Sequence, residues 1–260
     1  MVVTDRFIYI HMPKTGGTFV EAALTHLATE TGATHIDTAT PQGRSIIGGR
    51  DQHQVVAQIP DRFRGLPILF TTRNPYDHMV SFYTFGWWKD HAGDTFDETQ
   101  IRTRYPHYPE LDFGEFLRAH HDWALLDKSY ISASLASRLR AAGVGPLAWE
   151  YLRFLSSDPV QLLDALVSRP SSHVDRAQFG NIHFVPMENL NRGLHAFLLS
   201  AGYSSAEVRF ILGMEKVYPT EDRRRPDGVW RQWYTPELAG LVRNHEWRLF
   251  GLFPEYDDTL

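Results

Sequence analysis

The sequence predicts an α/β fold in which a parallel sheet is flanked by helices. Short apolar runs at residues 6–11 and 67–73 have the length and composition of buried strands. Each run leads into a helical pattern, at 17–29 and at 75–87, and a further strand is predicted at 182–187. Parallel strands need a crossover segment between them, so this alternation of strands and helices favours a parallel sheet.

Helical patterns dominate the rest of the chain. They are predicted near residues 52–59, 113–126, 129–141, 147–156, 159–168, 190–201, 205–213 and 235–250. The segment near 88–170 contains no recognisable motif and is predicted to form a helical insertion. No linker composition divides the 260 residues, so residues 1–260 are predicted to form a single domain.

Composition excludes several classes of function. The net charge of −5 argues against a nucleic-acid partner, and the absence of cysteine excludes disulfides, thiolate catalysis and cysteine-ligated metals. No apolar run is long enough to span a membrane and no secretory signal pattern is present, so we expect no membrane partner and a cytoplasmic location. His120 and His121 are adjacent on a predicted helix and point about 100° apart, so no metal site is predicted.

A glycine-rich loop follows the first strand and precedes the first helix. Its sequence is Pro-Lys-Thr-Gly-Gly-Thr, and the residues predicted to bind an anion are Lys14, Thr15, Gly16, Gly17 and Thr18. The glycines allow positive φ, so that successive N–H groups can point at one ligand. The helix adds the positive end of its dipole, the lysine adds a full charge, and the threonines add hydroxyl donors. The loop therefore predicts a phosphate site.

A second phosphate element is predicted at the end of the strand at 67–73. Arg73 would present a forked guanidinium there, followed by Asn74 as N-cap and Pro75 as first helical residue. Ser81 lies about two turns into that helix and would add a hydroxyl. The alternative is an ordinary strand–helix turn in which Arg73 pairs with a local carboxylate.

A basic segment near the C-terminus is the third element. Arg223, Arg224 and Arg225 are consecutive, and Gly228 and Trp230 follow them. Three consecutive arginines in an acidic chain call for an anion, although a solvated basic loop is the alternative.

The three elements together resemble sulfotransferases that use 3′-phosphoadenosine-5′-phosphosulfate (PAPS). The first resembles the family's 5′-phosphosulfate loop, and Arg73-Asn74-Pro75 with Ser81 resembles its 3′-phosphate element, Arg-x-Pro followed by Ser-x-Tyr. The third resembles the loop Arg-Lys-Gly-x-x-Gly-x-Trp, with Arg223 and Arg224 as the basic pair, Gly228 as the second glycine, and Arg225 in place of the first. The resemblance implies a P-loop-like fold, PAPS as cofactor, and sulfuryl transfer to an acceptor hydroxyl without a metal.

The resemblance also implies catalytic roles. Lys14 would stabilise the leaving phosphate, and His53 would be the base that activates the hydroxyl; Asp51 and His78 are the competing bases. His11 is next to the loop but is expected to point into packing. Some cytosolic members place a tyrosine against adenine where this chain has Met187, so the adenine would stack elsewhere; the candidates are Trp230 and Trp233.

The acceptor and the rival functions stay open at this stage. The Pro-Lys-Thr-Gly-Gly-Thr form is closer to carbohydrate-type than to phenol- or steroid-type sulfotransferases, which favours a glycan or glycosylated metabolite over a phenol or lipid. A module that binds PAPS without catalysis is a second hypothesis. A nucleotide kinase is a third, but the Gly-Lys-Ser/Thr that it needs is absent from the chain. The sequence does not indicate an oligomeric state.

Overall fold

A computed structural model shows an α/β protein with a small mixed sheet and many helices. It describes residues 1–31, 53–127, 131–169, 173–217 and 229–257. The α/β class predicted from the sequence is thereby confirmed.

Four strands form the sheet, in the order β1-β2-β3-β4. They are β1 (Val2–Val3), β2 (Ile8–Ile10), β3 (Ile68–Thr72) and β4 (Ile182–Pro186). Strands β2, β3 and β4 are parallel, as predicted. Strand β1 is antiparallel to β2, so the expectation of a wholly parallel sheet is wrong at this edge.

A tight turn explains the antiparallel edge. The Thr4 N–H donates to the Phe7 carbonyl at 2.9 Å, and the Thr4 hydroxyl accepts from the Phe7 N–H, also at 2.9 Å. Such a short connection joins antiparallel neighbours only, because a parallel crossover needs a dozen or more residues. A strand of two residues is also too short for apolar periodicity to reveal it.

Helices account for most of the remaining described chain. They are α1 (Gly17–Thr31), α2 (Pro75–Phe85), α3 (Trp87–Asp90), α4 (Ala92–Thr95), α5 (Glu98–Arg104), α6 (Phe113–His120), α7 (Ala133–Ala141), α8 (Pro146–Leu155), α9 (Pro159–Ser168), α10 (Leu190–Ser200), α11 (Ser205–Val208), α12 (Pro236–His245) and α13 (Trp247–Leu252). Short 3-10 segments lie at Val56–Gln58, Asp61–Phe63, Arg176–Phe179, Met187–Asn189, Arg209–Gly213, Val229–Trp233 and Pro254–Tyr256. None of the helices within the described residues is long and apolar enough to cross a membrane.

Helix ends differ from the predicted bounds where local geometry stops them. Helix α2 ends at Phe85 because Gly86 takes the left-handed conformation, with φ of 74°. The helix predicted over 113–126 ends at His120. In the described part of 52–59, only the 3-10 turn Val56–Gln58 forms.

The chain divides into two compact units, each assembled from separated segments. The first comprises Met1–Arg73, Phe154–Ser157 and Phe179–Arg224; the second comprises Asn74–Arg153, Asp158–Gln178 and Arg225–Leu260. The first unit contains the whole sheet. The described residues of the predicted insertion carry helices α3 to α9, so its helical character is confirmed. The single-domain organisation stays a prediction.

Helices α1 and α10 belong to the buried core of the first unit. Tyr9, Leu69 and Val185 contribute from the sheet, and they share one face because successive strand side chains alternate. The helical members are Phe19, Val20, Ala23, Leu24 and Leu27 of α1 and Leu190, Leu194, Phe197 and Leu198 of α10. Spacings of three and four residues place these on one apolar stripe of each helix. This packing fixes the start of α1 relative to the ends of β2 and β3.

In the second unit, Glu246 is a buried carboxylate that caps helix α8. It is 0% exposed and accepts hydrogen bonds from the N–H groups of Leu147 at 3.1 Å and Ala148 at 2.7 Å. The Nε2 atom of His121 lies 3.1 Å from the same carboxylate. The negative charge therefore sits at the positive end of the helix dipole, beside an imidazole with which it can form an ion pair.

Candidate functional site

The loop between β2 and α1 holds a lysine in a strained backbone conformation. Lys14 has φ of 64°, and Gly16 follows with φ of 91°. For a residue with a side chain this left-handed conformation costs about 1–2 kcal/mol. Among the described residues, Lys14 is the sole non-glycine with positive φ. Strain of this kind is held where the surrounding structure over-determines it, and it is concentrated at functional sites.

Both glycines of the loop are required by close packing. A Cβ on Gly16 would lie 2.6 Å from Leu190 Cδ2 and 3.4 Å from Met187 Cγ. A Cβ on Gly17 would lie 1.7 Å from His11 Nε2. The loop therefore packs between Met187 and Leu190, which follow β4, and the His11 imidazole, which follows β2. This close packing restricts the backbone conformation of the loop.

Helix α1 begins within the loop, so the first N–H groups of the helix belong to loop residues. The first helical hydrogen bonds run from the N–H groups of Phe19, at 3.0 Å, and Val20, at 3.2 Å, to the Gly16 carbonyl. The N–H groups of Gly17 and Thr18 precede these bonds and lie at the positive end of the helix dipole. Thr18 is exposed, so its hydroxyl is available to an anion arriving from solvent.

Thr15 ties the loop to the sheet. Its hydroxyl is 0% exposed and donates to the Met12 carbonyl at 2.8 Å. The Thr71 hydroxyl lies 2.7 Å from the Thr15 hydroxyl and 3.4 Å from that of Tyr9. Because the proton of Thr15 is directed at Met12, Thr71 donates to Thr15. The anion-binding role predicted for Thr15 stays a prediction. Burial raises the pKa of Tyr9 well above its usual value, more than the hydrogen bond with Thr71 lowers it, which keeps this network uncharged.

Arg73 lies at the carboxyl end of β3, directly against the loop. Its Nη1 donates to the Lys14 carbonyl at 2.8 Å, and the residue is 8% exposed. The two cations predicted from separate sequence motifs are therefore neighbours within the first unit. This bond uses one of the five N–H donors of the guanidinium.

His53 is held beside the end of β2. Its Nδ1 lies 3.0 Å from the His11 carbonyl oxygen, and the two imidazole rings meet edge to face at 4.8 Å between centroids. A carbonyl only accepts, so Nδ1 of His53 carries the proton. In the neutral ring Nε2 is then the basic nitrogen, which is the arrangement that a general base requires.

The contact between His11 and Glu21 is the feature of the site that sequence reasoning missed. The Nδ1 atom of His11 lies 2.8 Å from Glu21 Oε1, and the His11 side chain is 9% exposed. His11 does point into packing, as expected, but this packing includes a carboxylate. Gly17 and Glu21 are one helical turn apart on α1, and that spacing beside a strand-end histidine is the signal that could have revealed the pair.

Several predicted residues lie outside the described part of the chain or in the other unit. Asp51, Arg223, Arg224 and Gly228 lie outside the described residues. Ser81 lies on α2 in the second unit and is buried. The roles predicted for these residues stay predictions.

The remaining candidates are packed inside the second unit. His78 is 0% exposed, and its Nδ1 lies 3.2 Å from the Tyr151 hydroxyl, so its ring is closed to an acceptor from solvent. Trp230 is 7% exposed and stacks on Tyr76 with 6.0 Å between ring centroids. Trp233 meets Tyr83 edge to face at 5.5 Å. Core packing accounts for these contacts of both tryptophans.

No family model and no curated protein matches this chain. Lysine, arginine and main-chain N–H groups converge on one loop, and a histidine in a defined tautomer lies at the adjoining strand end. Such a set can bind a polyanion and can accept a proton.

Proposed function

We propose that this chain is a PAPS-dependent sulfotransferase that transfers a sulfuryl group to an acceptor hydroxyl. The observation that carries the proposal is the strained Lys14, whose carbonyl accepts from Arg73 at the end of a parallel strand. A lysine at positive φ destabilises the folded chain, and a functional need for the Lys14 charge at the loop explains why a glycine does not stand there instead. We further propose that the first unit is a P-loop-like fold, supported by the parallel strands β2, β3 and β4 and by the loop between β2 and α1.

The donors of the loop suit a nucleotide with several negative charges. Lys14 and the N–H groups that open α1 would hold the 5′-phosphate, and Arg73 would hold the 3′-phosphate. The phosphosulfate bond of PAPS supplies the activated sulfuryl group when the cofactor is bound. Lys14 would place its positive charge beside the leaving phosphate, where a fixed charge acts most strongly in the transition state.

His53 takes the proton of the acceptor hydroxyl. Its Nδ1–H is directed at the His11 carbonyl, so Nε2 is the nitrogen that accepts the proton. The imidazolium that forms keeps its hydrogen bond to that carbonyl. We propose a glycan or glycosylated metabolite as the acceptor, on the likeness of the loop to carbohydrate-type members, with a phenol or lipid hydroxyl as the alternative.

The test is acceptor-dependent transfer. The purified chain is incubated with PAPS and a panel of sugar, phenol and lipid hydroxyls, and sulfated products are detected by mass spectrometry. His53→Ala is expected to reduce turnover to below about a tenth while it spares cofactor binding. Cofactor binding without transfer to any acceptor would favour the non-catalytic module instead.

A matched pair of arginine variants tests the binding role. Arg73→Ala is expected to weaken the binding of 3′-phosphoadenosine-5′-phosphate by about 1.5–3 kcal/mol, because a charge-assisted hydrogen bond is lost. Arg62→Ala removes the same charge from an exposed position of the first unit and is expected to leave affinity unchanged. Equal affinities of the two variants would reject the role of Arg73.

A further inference from the structure

Three titratable side chains from separate parts of the first unit converge at the end of β2. His11 follows β2 directly, Glu21 lies on the second turn of α1, and His53 lies far along the chain. The Nδ1 atom of His11 is 2.8 Å from Glu21 Oε1, and the Nδ1 atom of His53 is 3.0 Å from the His11 carbonyl oxygen. The Glu21 carboxylate thus contacts the His11 ring, while His53 contacts the main-chain carbonyl of His11 and the edge-to-face side of its ring.

The His11 ring has almost no freedom within this arrangement. Gly17 lies so close that a Cβ there would be 1.7 Å from His11 Nε2. The ring of Tyr9 stacks on the His11 ring at 5.8 Å and 20°. The carboxylate of Glu21 receives the Nδ1–H of His11, which fixes the rotation of the imidazole about its own axis.

We propose that Glu21 and His11 act as a positioning pair for His53. The carboxylate fixes His11, and His11 in turn holds the His53 ring through its carbonyl oxygen and through the edge-to-face contact of the two rings. This inference rests on the proposed function, in which His53 is the base. The pair would keep the basic Nε2 of His53 in one orientation and would stabilise the imidazolium formed during turnover.

The negative charge of Glu21 supports the same role as its position beside His11. Burial would raise the pKa of the Glu21 carboxyl, but the hydrogen bond with His11 and the charges of His11, the chain's α-amino group and His53 lower it overall. Glu21 is therefore ionised at neutral pH, and by reciprocity its charge favours the protonated form of His53. Among the described residues, His11 contacts His53 directly and Glu21 interacts with it electrostatically, while Tyr9 stacks on His11 and the α-amino group acts on Glu21.

Two substitutions of Glu21 separate charge from geometry. Glu21→Gln removes the charge but keeps an oxygen that accepts from His11, whereas Glu21→Ala removes both. Glu30→Gln is the matched control, because Glu30 is exposed on the same helix and loses the same charge. Nitrogen-15 NMR of histidine-labelled protein reports the tautomer and the pKa of His53 in each variant and needs no substrate.

We expect wild-type His53 to be the Nδ1–H tautomer. Glu21→Gln should keep that tautomer and lower the pKa of His53, because a nearby negative charge is lost. Glu21→Ala also releases the His11 ring, so the contact that holds His53 against the His11 carbonyl weakens and both tautomers of His53 should be populated. Glu30→Gln should do neither. A His53 whose tautomer and pKa in Glu21→Ala equal those of wild type would overturn the proposal.

Kinetics distinguish positioning from a merely structural role. If an acceptor is found, Glu21→Ala should lower kcat about tenfold with an unchanged KM for PAPS, as expected for a residue that orients a reacting group. Equal losses in kcat and in cofactor affinity would contradict positioning. If no acceptor is sulfated, the proposed function fails, but the NMR readouts still decide whether Glu21 controls His53.

Discussion

The strained backbone of Lys14 makes a prediction that separates stability from function. With φ of 64°, Lys14 costs about 1–2 kcal/mol relative to a residue in an ordinary conformation. Lys14→Gly relieves this strain, whereas glycine adds about 0.5–1 kcal/mol of unfolded-state entropy. The balance is a gain of about 0.5–1 kcal/mol in the free energy of unfolding, which raises Tm by about 1–4 °C in a chain of this size.

Lys14→Ala is the informative partner of this variant. Alanine keeps the strain and removes the charge, so its stability should stay near that of wild type while Lys14→Gly becomes more stable. Both variants should lose turnover, because each lacks the cation at the loop. Free energies of unfolding from urea titration, with Tm from calorimetry, measure the difference.

Lys216→Gly is the control for the effect of replacing a lysine by glycine at a position without backbone strain. Lys216 is exposed and is not among the residues with positive φ, so glycine there should lower stability slightly. If Lys14→Gly proves no more stable than Lys14→Ala, the strain reasoning is refuted. A Lys14→Gly variant with wild-type turnover would refute the functional part.

Three further substitutions test the packing and charges on which the site depends. Gly17→Ala places a methyl group against His11 Nε2 and should cost about 1–3 kcal/mol of stability, read by urea titration. Glu246→Ala removes the hydrogen bonds to the first N–H groups of α8 and leaves the buried His121 without its carboxylate partner. The free energy of unfolding should fall by about 3–5 kcal/mol, which is measured as a lower Tm. The pKa of the Glu21 carboxyl is lowered in the folded state from its ordinary value of 4.5, so the ionised carboxylate stabilises the fold above pH 4.5. This stabilisation is lost as the pH falls through the lowered pKa of the folded state. In acid unfolding, wild type should therefore lose stability relative to Glu21→Gln.

Matched controls accompany the first two of these. No atom lies within 4 Å of a Cβ built on Gly65, so Gly65→Ala should be tolerated. Glu237 pairs with Arg118 on the surface, so Glu237→Ala should cost at most about 1 kcal/mol. If Gly17→Ala matched Gly65→Ala, His11 would not be confined as described. A cost of Glu246→Ala no larger than that of Glu237→Ala would mean that the buried cap is unimportant.

Local patterns predicted the elements around the loop because short-range chemistry fixes them. An apolar strand, two glycines and an amphipathic helix place the loop, and the Asn74-Pro75 pair correctly starts α2, with Asn74 accepting from the Tyr76 N–H at 3.0 Å. Arg73 was placed at a strand end for the same reason. The placement of these residues could therefore be predicted from the chain alone, and their functional roles stay predictions.

Features that depend on tertiary contacts could not be predicted from the sequence. The contact between His53 and His11 joins residues 42 positions apart, and no periodicity links them. The short β1 depends on a turn closed by the Thr4 hydroxyl, which carries no apolar pattern. The sequence also could not show that the buried Thr15 hydroxyl donates to the Met12 carbonyl.

Calorimetric titration of the wild-type chain with 3′-phosphoadenosine-5′-phosphate, beside ATP with magnesium, decides whether the loop binds the nucleotide of PAPS. The geometry of Lys14, Arg73 and the start of α1 predicts binding of the bisphosphate with a Kd on the order of micromolar, and no binding of ATP. Binding of ATP, or of neither nucleotide, would contradict the assignment of this loop to PAPS.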